Sequence, residues 1–327
     1  MRVVMGIDGG GTRTRAALVS EVGKVLGIGI AGPSNYNNVG IRTAQESLGH
    51  AIRLAWENSG LEARPVEAIF LGMAGAISHL DRETFRDMAL ALEVAPESRI
   101  VVDHDIRIVL AGGLAGKSGV VLIVGTGSSC YGRNANDEAC RVGGWGDLLD
   151  DVGSSYYLGL HAMIAATRSE DGRMPTTTMT KGVLSRLHLR DIQHITRRIY
   201  HEGLTRSEIA SLAPLVLEAA AQGDKVANQI VNKGIDELVL MVKTAAQRLN
   251  LSSEETRVTI TGGLVHSGSG FKERLYASLH SRLPHVEIIE PILPPVLGAA
   301  LLALKSIGVP SNPEIVRQLS TGSQIGT

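Results

Sequence analysis

Twice in this chain an aliphatic run ends abruptly in glycines and hydroxyls: "VVMGIDGGGTRT" at residues 3–14 and "VVLIVGTGSSC" at residues 120–130. After each, the sequence alternates through a second strand, a polar turn near Gly23 or at 134–138, and a third strand. A module of three antiparallel strands used twice predicts two similar lobes, because neither copy can bury both faces of its sheet alone.

Between and after these modules, helical and strand patterns alternate. Apolar residues recur at Leu48, Ile52, Leu54 and Ala55 before a stop at Gly60, which predicts an amphipathic helix over 43–61. "VEAIFLGMAG" and "SRIVVDHD" are short continuous apolar runs that fit buried strands, and "RETFRDMALAL" between them fits a helix. This alternation makes the fold class α/β with a parallel portion in the sheet. The second lobe continues with helices predicted near 154–167, 180–187, 191–200, 207–222 and 225–249, the strand "RVTITGG", a helix over 270–283, the strand "VEIIEP" and the helix "PVLGAALLALKSIG". The last 19 residues lose periodicity and are expected to be partly mobile. The expected division is residues 1–113 with about 298–327 in one lobe, and 114–297 in the other.

With 32 Lys and Arg against 33 Asp and Glu, a formal charge of -1 leaves no basic footprint for nucleic acid. The N-terminal apolar run is too brief for a signal peptide, and the longest apolar stretch is about as long as a buried helix rather than a membrane span. A cytoplasmic protein with no nucleic-acid or membrane partner is expected. Cys130 and Cys140 form no CxxC and have no adjoining His, so they predict small buried side chains rather than a metal site.

Three glycine turns can carry chemistry. In "DGGGTRT", backbone N–H groups at Gly10 and Gly11 can face an anion, Thr12 or Thr14 can add a hydroxyl, and Asp8 can hold Mg²⁺ through water. The plainer reading is a hairpin in which Asp8 only closes a turn. "GTGSS" repeats the pattern with Thr126, and the two turns together could grip a polyphosphate. In "TGG", Gly262 and Gly263 either let a flat ring lie against backbone or tighten a strand-to-helix connection. None is a P-loop or a GxGxxG fingerprint.

A general base is sought in "VVDHDIR", where Asp103 and Asp105 both end a strand without a nearby Lys or Arg partner apparent from sequence, and either could instead cap the helix. "GGWGDLLDDVG" offers Trp145 as a flat surface and Asp151 as an acceptor for sugar hydroxyls, or else a core anchor and a cap. "GPSNYNN" adds an amide-rich loop at Asn35, Asn37 and Asn38.

In order, these segments resemble the sugar-kinase, heat-shock-protein and actin superfamily. "DGGGTRT" is similar to its first phosphate loop, "GTGSS" to its second and "TGG" to its adenosine loop, over almost the whole chain. Within it, "GPSN", "GTGSSC", "GGWG" and "DDVGSSYYLG" resemble the BadF/BadG/BcrA/BcrD-type ATPases, and among those the N-acetylglucosamine kinases. The segment 168–200 resembles the general bacterial family more than the animal kinases.

The resemblance implies two ribonuclease-H-like, actin-like ATPase lobes with an ATP cleft between them, and transfer of the ATP γ-phosphate to an amino sugar, with the 6-hydroxyl as acceptor. It implies Asp105 as general base, preferred because the family's aspartate directly precedes the connecting helix. Asn35, Ser128, Ser129, Gly144, Trp145, Gly146 and Asp151 would surround the sugar; Gly10, Gly11, Thr12 and Thr126 would meet phosphates; Gly262 and Gly263 would flank adenosine. ATP and Mg²⁺ are the expected cofactors, a small sugar the partner, and a homodimer the expected assembly. The alternatives are a glucosamine or N-acetylmuramic acid kinase, or an ATPase that activates a partner enzyme through a cysteine-ligated iron–sulfur cluster. A sugar-responsive regulator has no helix-turn-helix segment to support it.

Overall fold

The computed structural model describes residues 1–251 and 256–322. The first compact unit is built from Met1–Ser118 and the chain from Ile289 onward, and the second is Gly119–Ile288.

In chain order the first unit runs β1 (Val3–Gly9), β2 (Thr14–Ser20), β3 (Val25–Ala31), α1 (Tyr36–Ser59), β4 (Ala68–Met73), α2 (His79–Ala91), β5 (Ile100–His104) and α3 (Asp105–Gly113). The second runs β6 (Gly119–Val124), β7 (Ser128–Arg133), β8 (Ala139–Gly143), α4 (Ser155–Glu170), α5 (Met179–Arg186), α6 (Ile195–Tyr200), α7 (Arg206–Ala210), α8 (Ala213–Ala221), α9 (Lys225–Arg248), β9 (Arg257–Thr261), α10 (Phe271–Arg282) and β10 (Glu287–Ile289). The chain then returns to the first unit with α11 (Pro295–Ser306) and α12 (Pro313–Gly322).

The first sheet has the order β3-β2-β1-β4-β5 and the second β8-β7-β6-β9-β10, so the second repeats the first position for position. In each, the opening three strands are antiparallel, and the central strand pairs in parallel with the one reached through a helix. The two expected lobes are therefore present, each an α/β layer.

Alternation along the strands explains how both faces are covered. Met5, Ile7, Leu18, Ile69 and Leu71 point to one side, where they pack with Leu48 of α1 and Phe85 of α2. Val4, Ala17, Val19, Ala68 and Phe70 point to the other, against Leu297, Ala300 and Leu304 of α11. Since both faces are buried, these strands read as unbroken apolar runs rather than alternating ones.

Four details depart from the sequence reading. Residues 289–297 belong to the first unit, because the Ile292 and Leu293 N–H groups donate to the Gly113 and Gly112 carbonyls at 3.2 and 3.0 Å. Residues 207–222 are two helices, since Pro214 lacks an N–H and is suited to the first turn of α8. Residues 191–200 begin with a 3₁₀ turn at Ile192–His194 before α6. The tail forms α12, whose Ile315 and Leu319 are buried in the core; only residues 323–327 of it lie outside the described residues. No described helix is long and apolar enough to cross a membrane.

Candidate active site

In the first unit the site residues gather at the carboxyl ends of parallel strands, where open α/β sheets place their ligands. The register aligns Asp8 of β1 with Gly72 of β4 and Asp103 of β5. Asp8 is half-buried, and Arg15, opposite it on β2, stands 3.8 Å away. Burial pushes the Asp8 carboxyl up to about 6; Arg15 opposes this and the negative charge of Asp105 adds to it.

The turn after Asp8 is a hairpin closed by the Gly10 N–H donating to the Arg13 carbonyl at 2.9 Å, with Gly11 and Thr12 exposed at its tip. The Thr14 hydroxyl is committed elsewhere, donating to the Gly32 carbonyl at 2.8 Å. Thr12, by contrast, is exposed. The Gly10 carbonyl accepts from the Ser34 and Asn35 N–H groups, which ties the turn to the amide-rich loop. Asn35 caps α1, its Oδ1 accepting from the Asn37 N–H at 3.2 Å, so its Nδ2 hydrogens are the part available to a ligand.

Asp103 and Asp105, alternatives in the sequence, are separated here. Asp103 has cationic partners after all: Arg107 one helical turn on, at 2.5 Å, and Arg82 from α2 at 3.4 Å. Burial alone would raise its carboxyl, but the Arg107 hydrogen bond, His104 and the His104 N–H outweigh burial and hold it low. Asp103 is thus a structural anion. Asp105 is the first residue of α3, with His104 rather than either aspartate at the cap position. Burial pushes the Asp105 carboxyl up, against smaller opposition from backbone N–H groups of Ile106 and Asp105 itself. A carboxylate raised in this way and without a cationic partner among the described residues suits proton abstraction.

In the second unit, the turn joining β6 to β7 is closed by the Gly125 N–H donating to the Gly127 carbonyl at 2.9 Å. It is pinned to α4, whose Ser155 and Tyr156 N–H groups donate to the Gly125 and Thr126 carbonyls, and Thr126 itself stays exposed. Gly262, at φ 118°, presses on the Val124 carbonyl so closely that a Cβ there would collide with it. Gly263 beside it is exposed, with open space where a Cβ would point. The "TGG" and "GTGSS" turns are therefore neighbours at one end of the second sheet.

Ser128 donates its hydroxyl to the Val152 carbonyl at 2.8 Å, and its N–H donates to Asp151 Oδ1 at 3.1 Å. Ser129 Oγ is buried and has no hydrogen-bond partner among the described residues; it faces Gly144, where a Cβ would lie 2.8 Å from it. Gly144 and Gly146 both take positive φ, 73° and 92°, and throw Trp145 outward. Trp145 is 67% exposed, so it is not a core anchor, and the Arg141 guanidinium lies over its ring at 4.9 Å. Asp151 is not a cap either: Ser154 caps α4, while Asp151 is 3% exposed and paired with Arg206.

Arg206 and Arg141 are members of this cluster that the sequence reading missed. Arg206 lies 55 residues from Asp151, and its local sequence "TRSE" signals only a helix start. The Ser129, Gly144, Trp145 and Asp151 cluster, by contrast, is assembled from one hairpin and the loop after it.

Comparison with known proteins shows the family. The family model for the BadF/BadG/BcrA/BcrD ATPase family matches residues 5–303, and the chain belongs to that family. Among its relatives, an N-acetylmuramic acid/N-acetylglucosamine kinase of Clostridium acetobutylicum is 33% identical over 93% of this chain and 98% of its own length. An N-acetyl-D-glucosamine kinase of Dictyostelium discoideum is 30% identical, again over 93% of this chain and 98% of its own. A solved structure from Chromobacterium violaceum, described as a candidate N-acetylglucosamine kinase, superposes with a TM-score of 0.69 at 26% identity, covering 93% of this chain and 99% of that one.

Proposed function

We propose that this chain is an ATP-dependent amino-sugar kinase that transfers the γ-phosphate to a sugar hydroxyl, the 6-hydroxyl of an N-acetylated amino sugar. Family membership and the activities named for two relatives at 30–33% identity support the reaction class. The observation that carries the sugar half is Ser129 Oγ, a buried hydroxyl without a partner among the described residues, beside the Gly144–Gly146 loop. Buried polar atoms are rarely left unpaired, and a sugar hydroxyl would satisfy this one.

Asp105 takes the proton of the attacking hydroxyl as the oxygen approaches the γ-phosphorus, which its raised affinity for a proton favours. Ser128, whose own hydrogen is committed to Val152, can only accept from the sugar, whereas Asn35 donates through Nδ2. Trp145 offers a flat face, and Asp151 accepts hydroxyl hydrogens. Thr12 and Thr126, each exposed on a glycine turn, meet phosphate oxygens, with Gly10 and Gly11 letting backbone approach. Gly262 and Gly263 flank the adenosine, the open side of Gly263 giving room for the ring.

Asp8 fits a Mg²⁺ held through water: it is a hard oxygen donor whose negative charge burial disfavours and Arg15, 3.8 Å away, only partly offsets, so a nearby cation would favour its carboxylate. When bound, Mg²⁺ supplies charge neutralisation on the transferring phosphate.

The activator alternative is not favoured. A cluster shared between subunits needs accessible thiolates, but Cys130 and Cys140 are both buried, and burial raises both thiols.

A coupled ADP-release assay with N-acetylglucosamine, glucosamine, N-acetylmuramic acid, glucose and no sugar tests this reading. Turnover stimulated by an N-acetylated amino sugar well above glucose is expected. ATP hydrolysis indifferent to every sugar would overturn it.

A further inference from the structure

Asp151 is held unusually firmly for a residue expected to accept hydroxyl hydrogens. Its backbone sits at φ 62°, a left-handed conformation that costs a non-glycine residue about 1 kcal/mol or more. Oδ1 accepts from the Ser128 N–H at 3.1 Å, and Oδ2 accepts from Arg206. Arg206 comes from a different element, opening α7, and α7 is itself fixed by the Thr205–Glu208 capping box and by the Glu208 pairing with Arg198.

The guanidinium also presses on the second glycine turn. A Cβ on Gly127 would lie 2.7 Å from Arg206 Nη2 and 2.8 and 2.9 Å from the Asp151 oxygens. A side chain at Gly127 would displace this ion pair. Around the pair stand Asp147, 3.9 Å from Arg206, then Asp150, and the Tyr156 ring, 5.9 Å from the guanidinium. Three carboxylates, Asp147, Asp150 and Asp151, thus gather around the one guanidinium paired with them, that of Arg206.

We propose that Arg206 is a positioning and specificity residue of the sugar site: it locks Asp151 so that its free lone pairs meet sugar hydroxyls, and it offsets the loop's negative charge so that a neutral N-acetyl sugar is accepted over a cationic amino sugar. This rests on the sugar-kinase reading. Both oxygens of Asp151 already carry one donor each, so a second acceptor site on each is directed by those bonds rather than free to rotate. Without Arg206, the three carboxylates would lose the guanidinium paired with them, leaving a site better matched to an ammonium group.

The pair also has a pH signature. Burial raises the Asp151 carboxyl and Asp150 and Asp147 add to the rise, while the Ser128 N–H and Arg206 lower it. Ionised Asp151 is the stronger, acceptor-only group, and losing Arg206 makes its carboxylate protonate at higher pH, so the acid limb of kcat/KM for sugar moves upward.

The test compares wild type, Arg206→Ala and Arg206→Lys by sugar and ATP kinetics across pH, with unfolding temperature as a folding control. In Arg206→Ala, KM for N-acetylglucosamine should rise roughly tenfold or more, as expected for one lost charge-assisted contact, with KM for ATP within about twofold. Its acid limb should shift to higher pH, and its preference for glucosamine over N-acetylglucosamine should rise. Arg206→Lys keeps the charge and should restore the acid limb and the preference while recovering only part of KM. If Arg206→Ala does not fold, the Lys variant alone decides, through raised sugar KM with an unmoved acid limb. A wild type indifferent to sugars would overturn the kinase reading and this inference together. A sugar-stimulated wild type whose folded variants keep wild-type sugar KM, or lose sugar and ATP affinity equally without a pH shift, would overturn this inference alone.

Discussion

Asp8 costs the fold stability that only a ligand can return. Its carboxyl titrates at about 6 in the folded chain, above the ordinary carboxylate range, so ionising it opposes folding. The cost is absent at pH 4 and below, grows as pH rises toward 6, and is constant above that. Asp8→Asn should therefore stabilise the protein by up to about 3 kcal/mol at pH 7.5 and hardly at all at pH 4, while lowering turnover with Mg²⁺ and ATP. Thermal unfolding at the two pH values, with steady-state kinetics, checks both halves; a variant less stable at pH 7.5 would contradict the account. Other single residues were only partly legible. Arg107 stands four residues after Asp103, an i,i+4 spacing the sequence reading overlooked when it gave Asp103 no cationic partner, whereas Arg82 arrives from α2 and could not be foreseen. Arg206 likewise reaches Asp151 by tertiary packing alone.

Among the elements, those with long or unbroken apolar patterns were legible, and those defined by one or two residues were not. β1, β4 and β6 are buried on both faces and announce themselves as continuous apolar runs. α12 was hidden in a polar tail, although its start carries a recognisable signal. Asn312 accepts from the Ile315 N–H at 2.9 Å, and Pro313 occupies the first turn, where it loses no hydrogen bond. Ile315 and Leu319, four apart, are the two residues that dock it. Leu319 is fully buried, so Leu319→Ala should destabilise the protein by about 2–4 kcal/mol in denaturant unfolding. A change under about 0.5 kcal/mol would show that α12 is not part of the core.

At the scale of the whole molecule, the repeat seen in the sequence is the repeat of the fold: two sheets with the same strand order, each with a glycine turn after its central strand. That much was legible because hydrophobic pattern and turn chemistry agree at both copies. The boundary was less so, because residues 289–297 are claimed by carbonyls at the end of α3 rather than by any local pattern. Under the proposed function, Asp105 is the half-buried carboxylate of the first unit, with no cationic partner among the described residues. The account turns on Asp105 as the base, and turnover of Asp105→Asn beside nucleotide binding tests it most directly. It predicts a loss of about 10²–10⁴ in kcat with ATP affinity preserved. Turnover near that of the wild type in the folded variant would contradict it.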